Sequence, residues 1–151
     1  MRFDQLYEQT IEKYIDYLTS HQRKLDKSLV FNSVMINTEL LKRDFTKRQR
    51  SILVFIYNLS LSIGKERAII PKLQDFELCG ISKTKIKDEL DKLIELNVIS
   101  WDKDSNYFQI INPREWKAPY HQGYNDARSQ ALFLLNLDDA GIDVNDINNR
   151  L

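Results

Sequence analysis

Four Gly and three Pro are the only strong backbone breakers in 151 residues, and each falls where the hydrophobic pattern changes. The segments between them are long and carry helical periodicity, so the chain is constrained to be mainly α. From Phe3 to Thr19, the residues Phe3, Leu6, Tyr7, Ile11, Tyr14, Ile15 and Leu18 recur close to helical spacing with acids between them, which predicts an amphipathic helix. The polar stretch Ser20 to Ser28 reads as a linker, and a short helical stretch from Val30 to Leu41 opens the main body. Thr46 followed by Gln49 is a capping box, in which hydroxyl and amide satisfy backbone donors of a first helical turn. Ile52, Phe55, Ile56, Leu59 and Ile63 continue that helix, and Gly64 supplies its left-handed stop.

A brief β-like run, Ala68 to Ile70, follows. Pro71 then suits the first turn of a helix to about Leu78, because that position needs no N–H donor. Gly80 breaks this helix, Ser82 is placed to cap the next, and Ile86, Leu90, Leu93 and Ile94 form one apolar stripe through Asn97. Val98 to Asp102 and Asn106 to Ile111 are β-favouring runs joined by Lys103, Asp104 and Ser105. Helix, tight turn, helix and hairpin, in that order, predict a mainly α protein with a small β-hairpin, an α+β winged helix-turn-helix with an added N-terminal and C-terminal helix. Three regions are expected: an N-terminal helix and linker over 1–28, a winged-helix domain over 29–119, and a helical, acidic tail over 120–151. In the tail, Ala127 to Leu137 reads as a helix and Val144 to Ile147 as a last turn.

The formal net charge is zero, from 22 basic and 22 acidic residues, yet the charge is unevenly spread. Residues 21–117 hold 18 basic against 13 acidic side chains, a net +5, between ends of −2 and −3. A basic body of this kind points to an anionic partner. No leader pattern opens the chain, and its longest apolar stretch, Ile52 to Ile63, is broken by Asn58, Ser60 and Ser62, so no membrane association is expected. Cys79 is the one cysteine and His21 and His121 the only histidines, so no metal-ligand spacing exists; no phosphate loop, dinucleotide fingerprint or catalytic set is present either. The chain is expected to be a non-enzyme without cofactor, metal or catalytic residues.

Reading a DNA major groove takes a helix with an apolar inner face and hydrogen-bonding and cationic side chains near its N-terminus. Ser82, Lys83, Thr84 and Lys85 supply that set, with Asp88 as an acceptor for cytosine N4, and Lys87 is placed to reach phosphate. The alternative is a solvated face, since Lys85–Glu89 and Lys87–Asp91 have i, i+4 spacing. A second basic group, Lys42, Arg43, Lys47, Arg48 and Arg50, surrounds the capping box. Cations at a helix N-terminus oppose the macrodipole, so helix stability gives no reason for them, whereas a DNA backbone does. Lys65, Arg67 and, on the wing, Lys103 complete the expected backbone contacts.

The stretches VMINTELLKRDFTKRQRSILVFIYNLS, AIIPKLQDFELCGISKTKIKDELDKLIELNVI and NYFQIINPREW resemble the N-terminal DNA-binding domain of phage replication initiators, of the phage lambda protein O and phage replisome organiser type. Gly80-Ile81-Ser82-Lys83, Leu93-Ile94 and Asn97-Val98-Ile99 carry the likeness, which spans about Val34 to Trp116; Thr84 departs from the family's second basic residue. The resemblance implies binding of double-stranded origin DNA in the cytoplasm of a bacterial or phage-infected cell, and recruitment of a helicase or helicase loader. The residues themselves leave open a winged-helix transcription repressor and a DnaD-like helicase-loading adaptor acting through protein contacts. The apolar face of the first helix suits either homodimerisation or packing on the domain.

Overall fold

The computed structural model describes residues 2–21 and 27–142, with the backbone alone at 3, 7, 14, 17–21 and 27–34. Two compact units, Met1–Pro119 and Tyr120–Leu151, divide the chain. The first holds α1 (Phe3–His21), α2 (Lys27–Lys42), α3 (Lys47–Asn58), β1 (Arg67–Ile69), a 3₁₀ helix (Leu73–Cys79), α4 (Ile86–Glu95), β2 (Ile99–Asp102) and β3 (Tyr107–Ile110). The second holds α5 (Asp126–Asp139). The predicted last turn near Val144 lies outside the described residues, as does most of the predicted linker.

The capping box at α3 forms as the sequence predicts: the Gln49 N–H donates to Thr46 Oγ1 at 3.2 Å, and the Thr46 N–H to Gln49 Oε1 at 2.9 Å. Ile52, Leu53 and Ile56 of α3 are fully buried against Phe76, Ile86, Leu90, Leu93, Val98, Ile99 and Phe108. An aromatic column runs through this core, Phe55–Phe76 at 5.4 Å, Phe76–Phe108 at 5.2 Å and Phe108 stacked on Trp101 at 5.3 Å. Such pairs contribute about 1 kcal/mol each beyond their burial.

Several elements differ from expectation. Helix α2 begins at Lys27, so it is longer than the stretch from Val30 and takes in the end of the predicted linker. Helix α3 ends at Asn58 rather than at Gly64. The Ser60 hydroxyl, fully buried, donates to the Ile56 carbonyl at 2.7 Å, and a short 3₁₀ turn, Leu61–Ile63, carries the chain to Gly64. The segment after Pro71 is a 3₁₀ helix starting at Leu73, with the Lys72 N–H held by Asp75 Oδ2 at 3.3 Å. Gly80 closes it at φ 88°, where any Cβ is strained although no atom lies in its way.

The Ala68 run is more than a brief excursion. Its strand, β1, pairs antiparallel with β3, Ala68 opposite Phe108, and turns the predicted hairpin into a three-stranded sheet of order β1-β3-β2. Helix α3, strand β1, 3₁₀ helix, α4 and hairpin together make an α+β, winged-helix-like fold, with helices added at each end of the chain order. Helix α4 ends in a Schellman turn: the Val98 N–H reaches Leu93 O and the Asn97 N–H reaches Ile94 O, both at 3.0 Å, with Asn97 at φ 60°. That turn reverses the chain directly into β2, so the hairpin follows α4 without slack.

Candidate nucleic-acid interface

Ser82 does not cap α4. Residues 82–85 form a turn closed by the Lys85 N–H on Ser82 O at 2.9 Å, and the helix begins at Ile86. The base-reading candidates Ser82, Lys83, Thr84 and Lys85 therefore stand on the turn that leads into α4, all four exposed, and Lys87 and Asp88 follow on its first turn, also exposed. Ile86, Leu90 and Leu93 are buried on the opposite face. Past the first turn Asp91 and Glu95 are exposed beside Lys92, so the excess positive charge is concentrated at the N-terminal end.

Glu89 was missed by the sequence reading, which gave it only to an i, i+4 pair with Lys85. Its side chain is 7% exposed and meets Arg48 of α3 at 3.7 Å and Lys92 at 3.8 Å. The signal was present: Glu89 sits inside the apolar stripe, and a carboxylate there needs a cation. Because Arg48 lies in the first turn of α3 and Glu89 in the first turn of α4, this contact brings together two basic groups far apart in sequence. Lys47, Arg48 and Arg50 are exposed there.

Arg43 has a different place. It donates to Glu39 Oε2 at 2.7 Å, Ala118 O at 2.7 Å and Pro113 O at 3.1 Å, with its guanidinium 5.8 Å from the Trp116 ring centre. At 11% side-chain exposure it clamps the 113–118 segment to the end of α2, apart from the exposed cations of α3. Lys42 beside it is half-buried, 3.8 Å from the same Glu39 carboxylate, which likewise separates it from the exposed cations of α3.

Lys65 is half-buried, its N–H on Ser60 O at 3.0 Å. Arg67 and Lys103 belong to the sheet and wing: the Arg67 guanidinium lies 4.4 Å from the Tyr107 ring centre, and Lys103 Nζ 4.9 Å from that of Trp101. Between them the Ser105 hydroxyl, then the Asp104 N–H at 3.1 Å and a weaker field from Arg67, hold the Asp102 carboxyl below its usual range. The wing tip thus carries anionic charge beside its cations. No described helix is long and apolar enough to cross a membrane.

The residues that build this site fall within one match. The family model for bacteriophage replication protein O fits residues 30–116, more than half of the chain. The chain belongs to the bacteriophage replication protein O family. No curated protein and no solved structure matches it. All of the family match lies in the first unit, from α2 to Trp116, and it takes in both basic groups, the 3₁₀ helix, α4 and the hairpin. Helix α1 and α5 lie outside it.

Proposed function

We propose that this family member binds double-stranded DNA at a replication origin, initiates phage or plasmid DNA replication there, and organises the replisome. The single observation that carries the reading is the Arg48–Glu89 contact, which joins the first turns of α3 and α4 and sets two cationic groups side by side. In this reading Ser82 to Lys85 and Asp88 enter a major groove, and Lys87, Lys47, Arg48 and Arg50 hold phosphates, with Arg67 and Lys103 as outer contacts. The protein acts by binding and catalyses no reaction.

Selection of bound sequences from a random duplex library tests the claim. A recurring motif is expected, with affinity falling steeply between about 50 and 200 mM salt at a slope near −0.9 per phosphate neutralised. Binding that is absent at low salt, or independent of sequence, rejects origin recognition.

The replisome role rests on α5. Leu132, Phe133 and Leu135 are each more than half exposed on that helix, an apolar surface suited to a helicase or helicase loader. Glu at Leu132 and Leu135 should leave DNA binding intact and abolish replication; unchanged replication would reject the role.

A further inference from the structure

An open groove of about 430 Å³ runs between the outer side of α3 and the end of the 3₁₀ helix, lined by Lys47, Arg50, Val54, Phe55, Leu78 and Cys79. Lys47 and Arg50 stand on the first turn of α3, with Val54 and Phe55 one to two turns further along the same helix. The apolar walls reach solvent, Leu78 being 79% and Val54 46% exposed. The floor is apolar as well: burial pushes the Cys79 thiol up, so it stays neutral, and its S–H donates to Phe76 O at 3.1 Å.

A single exposed aliphatic residue needs no explanation, but Val54, Phe55 and Leu78 share one trough. The charge is equally one-sided. Among the described residues no carboxylate lines the groove, and neither Lys47 nor Arg50 pairs with one. Cations on the first turn of a helix oppose its macrodipole, so the positive partial charge of the turn adds to theirs and the fold gains nothing from either side chain. An apolar trough with an uncompensated cationic end is complementary to a peptide that carries a large apolar anchor beside a run of acids. A volume of about 430 Å³ has room for such an anchor together with a neighbouring side chain.

We propose that the α3 groove is a docking site for an acidic, aromatic-anchored peptide segment of another protein. The anchor lies on Val54, Phe55 and Leu78, and the acids of the peptide meet Lys47 and Arg50. The apolar contact supplies most of the affinity and the charges set the orientation of the peptide. The docking stands without the DNA reading, since the groove binds the peptide by itself. Where both ligands are present they compete, because Lys47 and Arg50 serve either phosphate or the acids of the peptide, whereas Leu78 serves the peptide alone.

Fluorescence anisotropy of a labelled synthetic peptide, three Asp followed by two Leu and a Phe, titrated with the full chain in the absence of DNA, tests the docking. Binding is expected with a Kd below about 300 μM at low salt. Leu78→Glu, at an exposed position, should weaken it about tenfold or more with an unchanged melting transition. Lys47→Glu with Arg50→Glu should weaken it as well, and the same peptide with Lys in place of Asp should bind that double variant better than the natural sequence. Cys79 is the one cysteine and lines the groove, so it also reports the place. A peptide with Cys in place of Phe, oxidised with copper phenanthroline, should form a mixed disulfide with the chain that is lost in Cys79→Ser. An affinity that ignores Leu78→Glu, as contact with the cations alone requires, would overturn the proposal. So would an equal affinity for the peptide with Asn in place of Asp, or an anisotropy that falls at high chain concentration, as a groove filled by a second copy requires.

Discussion

Arg43 donates to a carboxylate and to three backbone carbonyls of the segment that closes the first unit, at 11% side-chain exposure. Hydrogen bonds from a charged group contribute about 1.5–3 kcal/mol each, and removing Arg43 takes these donors from the carbonyls and leaves Glu39 without its shorter ion pair. Arg43→Gln should therefore lower unfolding stability by about 3 kcal/mol in urea titration, while the DNA affinity of the folded fraction stays the same. Asn97 has a comparable local role: its backbone is left-handed and its Nδ2 donates to Glu115 O at 3.1 Å. Asn97→Ala should cost about 1–2 kcal/mol, from left-handed strain and the lost bond. Asn97→Gly keeps the turn and should cost only the hydrogen bond; equal losses for the two variants would show that the left-handed backbone is not the cause.

At the scale of elements, the turn 82–85 and α4 divide by charge. Lys83, Lys85 and Lys87 outweigh Asp88 at the N-terminal end, and Asp91 and Glu95 outweigh Lys92 beyond it. Lys83→Glu with Lys85→Glu should leave the circular dichroism spectrum unchanged and reduce duplex binding by at least about a hundredfold, as two groove-facing cations become anions beside the phosphates. On the wing, Asp102 has a folded pKa below its unfolded one. Its contribution to the turn is thus fully present above the usual carboxylate range and is lost as pH falls through the depressed value. Ser105→Ala removes the first cause, so NMR titration should move the Asp102 midpoint upward toward the ordinary value. The helices and hairpin were legible in sequence because their signals are local: the Thr46 capping box, the Gly80 stop and the alternating run through Tyr107 and Phe108. Ser82 misled because a Ser before an apolar stripe is a valid cap, yet residues 82–85 form a turn of their own and the helix starts only at Ile86, too far along for the Ser82 hydroxyl to cap it. The 3₁₀ helix misled for a related reason, since a seven-residue segment ending in Gly has too few turns to distinguish two helical periods.

Across the whole molecule, the zero net charge averages a basic body and two acidic ends. The acidic end that α1 carries opposes an anionic partner of the basic body. Deleting residues 1–21 should therefore raise duplex affinity several-fold at low salt, and fluorescence anisotropy measures the change; an unaltered or lower affinity would speak against a repulsive contribution from the acidic end. The chain order of helix, turn, helix and hairpin, and with it the family resemblance that the match to 30–116 bears out, was written in periodicities of a few residues. Three decisions were not: the pairing of β1 with β3 across Ala68 and Phe108, the burial of Glu89 beneath Arg48, and the closure of 113–118 by Arg43. Each joins residues about forty or more positions apart. A periodic pattern says which face of an element is apolar, whereas the partner of a charge or a strand edge is settled only when the collapsing core brings distant elements together and desolvates whatever lies between them.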